Sequence, residues 1–382
     1  MVEQNTDGAM RSRLRVGIAG YGAVARVHIR AYRELTSAVV VSVADTNTER
    51  LKEAERDLGV PCFSTLIEML KSEPLDVVCI LTPPSSHEEL VGLCAAAHVH
   101  VLCEKPMGLS IESCMRMIEE CRAHSVRLCY GASYRYLPAL TMARDMILAG
   151  ALGDILLLRE YAVGGLTKAT RATLGFDHYP AGGPGGSAMG LCDHGIHLLD
   201  TFPWLIGSFT TDVWGRGNIA GALQRPEFVH LEYANGAIGQ LLYEDGTYTT
   251  ALPHEGVFAW GGGWGVNGDE RVHASGSWDS DPGCIHVHGT GGSLRVFYYA
   301  NALYFRSHAG VRQISLPNRS VPHNFAMQLE AFVNAILSDE PTPVPGEVGL
   351  EATRTLLRIY ARARASVSSQ AVPAPRSEKD LI

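Results

Sequence analysis

The feature that most constrains this chain is a glycine-rich junction between an apolar segment and a helical segment near its start. Residues 15–19 have the pattern of a strand, and residues 26–32 have the pattern of a helix; Gly-Tyr-Gly-Ala-Val-Ala lies between them. Gly20 permits a tight turn, Gly22 lets the backbone approach a pyrophosphate, and Ala25 allows close packing of helix on strand. This order predicts a dinucleotide-binding unit.

An acidic residue follows at the distance that such a unit requires. Residues 39–44 form a second strand pattern that ends in Asp45, a little over ~20 residues beyond the glycines. A carboxylate there accepts hydrogen bonds from the adenosine ribose hydroxyls and repels a 2′-phosphate, which favours NAD over NADP. The alternative is that Asp45 caps the helix that begins near Thr48.

A further strand pattern ends in an acid, a lysine and a proline. Residues 99–103 alternate in hydrophobicity, and Glu104, Lys105 and Pro106 follow them. Proline cannot continue a sheet ladder, so we expect the strand to end before it. Ligands of open α/β sheets bind at the carboxyl ends of strands, which places the lysine where a ligand lies. The alternative is a surface lysine before a turn.

The pattern of elements changes near residue 131. Before it, strands and helices alternate, which predicts a doubly wound, mostly parallel sheet. After it, strand patterns follow closely on one another, with Asn235-Gly236 as a hairpin turn, which predicts an α+β domain with an open, mostly antiparallel sheet. The predicted segments are a flexible arm (1–12), a nucleotide-binding domain (13–131), a substrate and oligomerisation domain (132–345), a C-terminal helix (346–366) and a flexible tail (367–382).

Composition narrows the possible partners and location. The formal net charge of −8 argues against nucleic acid and against an anionic membrane as the main partner. The sequence contains no apolar run long enough for a membrane span and begins with a polar stretch unlike a signal peptide. Its nine cysteines lie in apolar segments without a C-x-x-C pair, which indicates reduced thiols in a cytoplasmic protein and no zinc site.

A second constellation lies beyond a glycine-rich loop at 182–186. Asp193 and His197 are four residues apart, so a helix would place them on one face. A carboxylate beside an imidazole orients it and raises its basicity, as a general base requires. The alternatives are a capping aspartate with a packed histidine, or a metal site that includes His194; we predict no metal. The Gly/Trp-rich stretch 260–279 would either stack on a sugar or pin a loop to the core.

Together these motifs resemble the glucose-fructose oxidoreductase / inositol dehydrogenase / MocA family over residues 14–365. The resemblance is carried by the glycine loop, Asp45, Thr82-Pro83-Pro84 with His87, Glu104-Lys105-Pro106, Tyr134-Arg135 with Pro138, Leu152-Gly153, Asp193-x-Gly195-x-His197 with Asp200, and Pro343-x-Pro345-Gly346-Glu347. It implies an N-terminal Rossmann domain, a C-terminal open-sheet domain, and hydride transfer at a ring carbon of a sugar, glycoside or cyclitol.

The resemblance also assigns residues. It implies that Lys105 and His197 are catalytic and that Asp193 supports them. The residues expected to bind NAD are Gly20, Tyr21, Gly22, Ala23, Val24, Ala25, Asp45, Thr82, Pro83, His87, Glu104, Lys105 and Arg135. Those expected to line the substrate pocket are Tyr134, Asp193, His194, His197 and Trp264.

Two departures and two alternatives accompany this resemblance. Pro184 and extra small residues lengthen the loop before Asp193, and 260–279 follows no pattern of the family. The alternatives to a simple dehydrogenase are an NAD-dependent glycosidase that works by transient oxidation and elimination, and a non-catalytic NAD-binding sensor. A homodimer or homotetramer is expected, because an open sheet leaves a face to cover.

Overall fold

The structure is a computed structural model that describes residues 13–163, 190–216, 227–244, 284–298, 301–317 and 323–369. The strands are β1 (Leu14–Ala19), β2 (Ala38–Ala44), β3 (Cys62–Phe63), β4 (Val77–Ile80), β5 (His100–Cys103), β6 (Leu128–Tyr130), β7 (Ile155–Val163), β8 (Thr210–Arg216), β9 (Glu227–Tyr233), β10 (Ile238–Glu244), β11 (Cys284–Gly289), β12 (Ser293–Phe297), β13 (Ala302–Ser307) and β14 (Gly310–Ile314).

The helices alternate with the strands in the first part and cover one face of the sheet in the second. They are α1 (Ala23–Tyr32), α2 (Thr48–Leu58), α3 (Leu66–Ser72), α4 (His87–Ala96), α5 (Ile111–Ala123), α6 (Pro138–Leu148), α7 (Ile196–Ile206), α8 (His323–Leu337) and α9 (Gly346–Ser369). Within the part of the chain that is described, none of them combines the length and hydrophobicity needed to cross a membrane.

The first sheet has six strands in the order β3-β2-β1-β4-β5-β6. Every pairing in it is parallel, which confirms the predicted doubly wound sheet. The central strand β4 is buried at all of its residues, as expected for a strand covered by helices on both faces. The strand order reverses at β1 and β4, and ligands of such sheets bind in the crevice at that point.

The register of this sheet aligns the strand ends. Ala19 is paired with Ala44 and with Ile80, and Ile80 is paired with Cys103. Because these strands are parallel, their following residues emerge at the same edge of the sheet. The loops predicted to bind the cofactor therefore leave the sheet side by side.

The second sheet has eight strands in the order β14-β13-β12-β11-β7-β10-β9-β8. It is mostly antiparallel, as predicted, and the Asn235-Gly236 turn joins β9 to β10 as a hairpin. The pairing of β7 with β10 is parallel. Closely spaced strand patterns did not predict this parallel pairing. Parallel neighbours need a long crossover connection, and the connection between β7 and β10 contains α7.

Two large apolar cores lie against the two sheets. The last two helices are divided between them in a way that chain order does not suggest. Helix α8 buries Phe325, Leu329 and Phe332 in the core of the first sheet. Helix α9 buries Leu356 and Ile359 in the core of the second. The long C-terminal segment therefore fastens the two halves of the molecule together.

Most predicted elements recur with small shifts at their ends, and α2 and β11 coincide with a helix predicted at 48–58 and a strand predicted at 284–289. Strands β3 and β14 were not predicted. Strand β3 is two residues long, and β14 is exposed over most of its length, so neither carries an alternating pattern of hydrophobicity. The predicted flexible arm (1–12) and most of the predicted flexible tail (367–382) lie outside the described residues.

Candidate active site

The glycine loop has the conformation that the sequence requires. Gly20 has a φ of +93°, a backbone conformation that favours glycine. A Cβ on it would also lie 2.8 Å from the Thr82 methyl carbon, which is too close for a larger residue. A Cβ on Gly22 would meet no atom of the described residues within 4 Å, so the described part of the chain leaves space beside the loop. Among the described residues no side chain caps the start of α1, so its first amide groups keep the capacity to bind an anion. The loop therefore fits a pyrophosphate.

Asp45 ties this loop to the next turn. Its Oδ2 accepts a hydrogen bond of 2.7 Å from the Tyr21 N–H, and its Oδ1 accepts one of 2.8 Å from the Asn47 N–H. Asn47, not Asp45, caps α2. Each carboxylate oxygen keeps acceptor capacity for a ribose hydroxyl. Arg50, which is half exposed, places a guanidinium nitrogen 3.8 Å from the carboxylate.

His87 braces two of the strand-end loops. It is fully buried, with Nε2 2.9 Å from the Thr82 carbonyl oxygen and Nδ1 3.1 Å from that of Met107. Burial lowers the pKa of its imidazole, although the hydrogen bonds to those carbonyls oppose the shift. His87, which was predicted to contact the cofactor, instead lies behind the loops and supports them through these two carbonyl groups. Thr82 and Pro83 lie in the loop itself, and the Thr82 hydroxyl is 2.7 Å from that of Ser86.

Glu104 is a buried hub beside the lysine. Its Oε1 lies 2.9 Å from His28 Nε2, and its Oε2 accepts a hydrogen bond of 2.8 Å from the Lys105 N–H. His28 Nδ1 in turn lies 2.8 Å from the Tyr32 hydroxyl. Burial alone would raise the pKa of Glu104, but the hydrogen bond and charge of His28, with the charge of Lys105, lower it overall. Glu104 therefore holds the lysine turn in place from inside the core.

The sequence motifs do not include His28 and Tyr32. Both lie on the buried face of α1, at i and i+4, together with Ala25 and Ile29. A histidine within such an apolar stripe indicates a buried polar partner. The sequence does not identify that partner, because Glu104 lies 76 residues away.

His197 lies on α7, and Lys105 is close enough to act on it electrostatically. Its imidazole is stacked on the Tyr134 ring, with the planes parallel and the ring centroids 3.9 Å apart. Burial, followed by the charge of Lys105, lowers the pKa of His197 well below its usual value. The expectation that a neighbouring carboxylate raises this pKa is wrong, because desolvation and a nearby cation dominate.

The geometry around Asp193 also differs from the prediction. Residues Gly190–Gly195 form a π-helical turn, and α7 begins at Ile196. Asp193 and His197 therefore do not share one regular α-helix, and a spacing of four residues does not by itself place them on one face. The side chain of Asp193 lies outside the described residues, as do Trp264 and the loops at 182–186 and 260–279.

Tyr134 and His194, both predicted to contact substrate, belong to a buried polar network. The Tyr134 hydroxyl lies 3.3 Å from His194 Nδ1, and His194 Nε2 lies 3.2 Å from Glu160 Oε2. Tyr298 donates a hydrogen bond to the other oxygen of Glu160. Glu160 and Tyr298 carried no signal in sequence, because Glu160 lies on β7, Tyr298 follows β12, and 138 residues separate them.

Arg135, predicted to bind the cofactor, is held by an acid from α7. Its Nε donates to Asp200 Oδ2 at 3.0 Å, and a second guanidinium nitrogen donates to Oδ1. Burial raises the pKa of Asp200, and the charge and hydrogen bond of Arg135 oppose that shift. The guanidinium also lies 5.6 Å from the Trp204 ring centroid. Arg135 therefore anchors the Tyr134 turn to α7.

Among the described residues, no group of three or more His, Cys, Asp or Glu side chains could hold a metal ion.

Comparison with known proteins places this arrangement in context. A family model described as an oxidoreductase family with an NAD-binding Rossmann fold matches residues 14–132. A second model, the C-terminal alpha/beta domain of an oxidoreductase family, matches residues 144–370. The first match identifies NAD as the cofactor of the glycine loop.

Individual relatives and structures agree with the models. The rhizopine catabolism protein MocA of Rhizobium meliloti is 30% identical over 237 residues, which cover 60% of this chain and 70% of that protein. A myo-inositol 2-dehydrogenase of Thermotoga maritima is 26% identical over 235 residues, 59% of this chain and 67% of that one. The structure of a scyllo-inositol dehydrogenase from Lactobacillus casei with NAD(H) and scyllo-inositol superposes with a TM-score of 0.70 at 21% identity, over 93% of this chain and 98% of that chain.

Proposed function

Because this chain belongs to the GFO/IDH/MocA family of oxidoreductases, we propose that it is an NAD-dependent dehydrogenase or ketoreductase acting on a ring hydroxyl or keto carbon of a sugar, glycoside or cyclitol. One observation carries the proposal. Lys105, at the end of a strand of the first sheet, acts on His197, which lies on a helix packed against the second sheet. The charge of Lys105, which follows a strand at the edge where the nucleotide-binding loops emerge, thus contributes to the lowered pKa of the His197 imidazole.

His197 exchanges the proton of the substrate hydroxyl. Its lowered pKa keeps the imidazole neutral near pH ~7, which is the form that accepts a proton. Lys105 donates a hydrogen bond to the same oxygen and stabilises the negative charge that develops there. Bound NAD⁺ supplies the hydride acceptor. In oxidation the ring carbon thus loses a hydride, its hydroxyl loses a proton to His197, and a ketone forms; reduction is the reverse.

The substrate class rests on the relatives and on the polarity of the site. The inositol dehydrogenases among them act on cyclitols, and a glucose-6-phosphate 3-dehydrogenase of Bacillus subtilis is 29% identical over 194 residues. That last alignment covers 51% of this chain and 54% of the relative. A ring that carries several hydroxyls suits a site that offers both an ammonium group and an imidazole as hydrogen-bonding groups.

A substrate panel tests this function. Purified protein is mixed with NAD⁺ and a series of aldoses, glycosides and inositols, and NADH is followed by its absorbance. We expect NADH with at least one ring alcohol, and none from the same panel with Lys105→Met. Release of free aglycone without net NADH would instead identify the glycosidase. Tight NAD binding without either reaction would identify the sensor.

A further inference from the structure

A chain of buried polar groups runs from the second sheet to the Tyr134 ring. Glu160, on β7, is fully buried, and Tyr298, just after β12, donates a hydrogen bond to its Oε1. His194 Nε2 lies 3.2 Å from Glu160 Oε2 and 3.1 Å from the Tyr298 oxygen. On the other side of the imidazole, Nδ1 lies 3.3 Å from the Tyr134 hydroxyl. Both ring nitrogens of His194 are therefore engaged.

Hydrogen-bond chemistry assigns the protons along this chain. An ionised Glu160 offers acceptors only, so the nitrogen facing it, His194 Nε2, carries the hydrogen. Nδ1 then keeps a lone pair, and the Tyr134 O–H donates to it. The opposite tautomer would set a nitrogen lone pair against the carboxylate inside the core, where an unmade hydrogen bond is costly. The acid thereby determines the direction of the Tyr134 hydrogen bond.

Tyr134 links this hydrogen-bond chain to the imidazole of His197. Its side chain is almost fully buried, its hydroxyl is tied to His194, and its ring lies parallel to that of His197 at 3.9 Å. A phenol that donates its hydrogen has a more electron-rich ring face, and such a face attracts a cation. The stacked Tyr134 ring therefore orients His197 and favours the imidazolium that forms when it takes the substrate proton.

We propose that Glu160 is a positioning residue that acts on His197 through His194 and Tyr134; the catalytic part of this inference rests on the proposed function. The carboxylate sets the His194 tautomer, the tautomer sets the Tyr134 hydrogen bond, and the tied ring holds His197. Tyr134 and His194, expected from the sequence to contact substrate, take positioning roles instead.

A double-mutant cycle tests the order of this chain. Glu160→Gln and Tyr134→Phe should each lower kcat by roughly tenfold or more, with NAD affinity unchanged. The double variant should be no slower than Tyr134→Phe alone, because the acid acts only through the phenol hydroxyl. Tyr233→Phe is the matched control: it removes from the same core a buried hydroxyl that has no hydrogen-bond partner among the described residues, and kcat should not change. Multiplying losses in the double variant would overturn the proposal.

A second measurement does not need turnover. Histidine labelled with ¹⁵N in the full-length protein reports the tautomer of His194, with the signal assigned by its loss in His194→Gln. We expect a protonated Nε2 in the unaltered protein and a shift toward protonated Nδ1 in Glu160→Gln, since the amide donates where the acid accepted. A tautomer that does not respond, or protonated Nδ1 at the outset, contradicts the proposal. If the predicted His194 tautomer is observed but no ring alcohol is oxidised, the hydrogen-bond chain from Glu160 to Tyr134 is supported and the proposed function is contradicted.

If Glu160→Gln does not fold, His194→Gln with Tyr134→Phe completes the same kinetic cycle. The two changes interrupt one hydrogen bond from its two ends, so their effects on kcat should again fail to multiply. Independent effects would show that the network only supports the fold.

Discussion

The imidazole of His197 lies flat against the phenol ring of Tyr134, with the two planes parallel and the centroids 3.9 Å apart. The two residues come from different elements, a short turn after the first sheet and helix α7 beside the second. Tyr134 belongs to the apolar core of the second sheet, so the stack holds the imidazole of His197 against that core. His197 is buried at this position, and its burial is the first cause of its lowered pKa.

The first prediction concerns pH. Oxidation needs neutral His197, so its rate should rise with pH through the lowered pKa of that imidazole and level off before the ordinary value of ~6.5. Ketone reduction needs the protonated form and should fall over the same range. Steady-state kcat in both directions, measured from acid to neutral pH, checks this. An oxidation limb centred above ~6.5 would show that burial and Lys105 do not control the base.

The second prediction concerns the buried pair behind Lys105. His28 and Glu104 have side chains 0% and 6% exposed, so His28→Ala leaves a carboxylate without its partner in the core. The free energy of unfolding should fall by about 3–5 kcal/mol, measured by chemical denaturation. The control is Glu347→Gln, which breaks an exposed pair with Arg122 and should cost about 1 kcal/mol or less. Equal losses in the two variants would remove the structural role of His28.

The third prediction concerns cofactor choice. Asp45→Ser removes the negative charge opposite the ribose and leaves Arg50 nearby, so preference for NAD over NADP should narrow by at least roughly tenfold, since like charges in contact cost several kcal/mol. Absolute NAD affinity should also fall, because the carboxylate holds the backbone of Tyr21 and Asn47. Asp57→Asn, which alters the partner of the Tyr21 hydroxyl, is the control. Equal affinity for both cofactors in the unaltered protein contradicts the assignment.

The fourth prediction concerns assembly. The face of the second sheet away from its helices exposes Trp214 and Ile238 by 40% and 37%, and we expect it to bury ~1,000 Å² or more against a second copy. Sedimentation should give a multiple of the 41.3 kDa chain mass. Trp214→Glu should produce the monomer. Phe209→Glu, at a loop residue 69% exposed, should not. A monomer in the unaltered protein removes this prediction.

The sequence was sufficient for what depends on local pattern. The glycine loop, the strand ends at Asp45 and Lys105, and the mostly antiparallel second sheet follow from alternation and turn residues, and the structure contains them. It was insufficient where the determinant is a distant partner. Burial reverses the expected shift in the pKa of His197, and the hydrogen bond between Tyr298 and Glu160 joins residues that are 138 positions apart in sequence. The π-helical turn before α7 likewise escapes a spacing rule that assumes a regular helix.

Replacing His197 tests the account most directly. His197→Ala should lose roughly 10²–10⁴-fold in kcat, the usual range for a positioned acid–base group. NAD affinity, measured by titration of the same preparation, should stay nearly unchanged, because the glycine loop and Asp45 hold the cofactor. His124→Ala, which changes a surface-accessible histidine after α5, should have no effect on either quantity. A His197→Ala protein that turns over ring alcohols at a near-normal rate would contradict the account and leave Lys105 as the proton-transfer group.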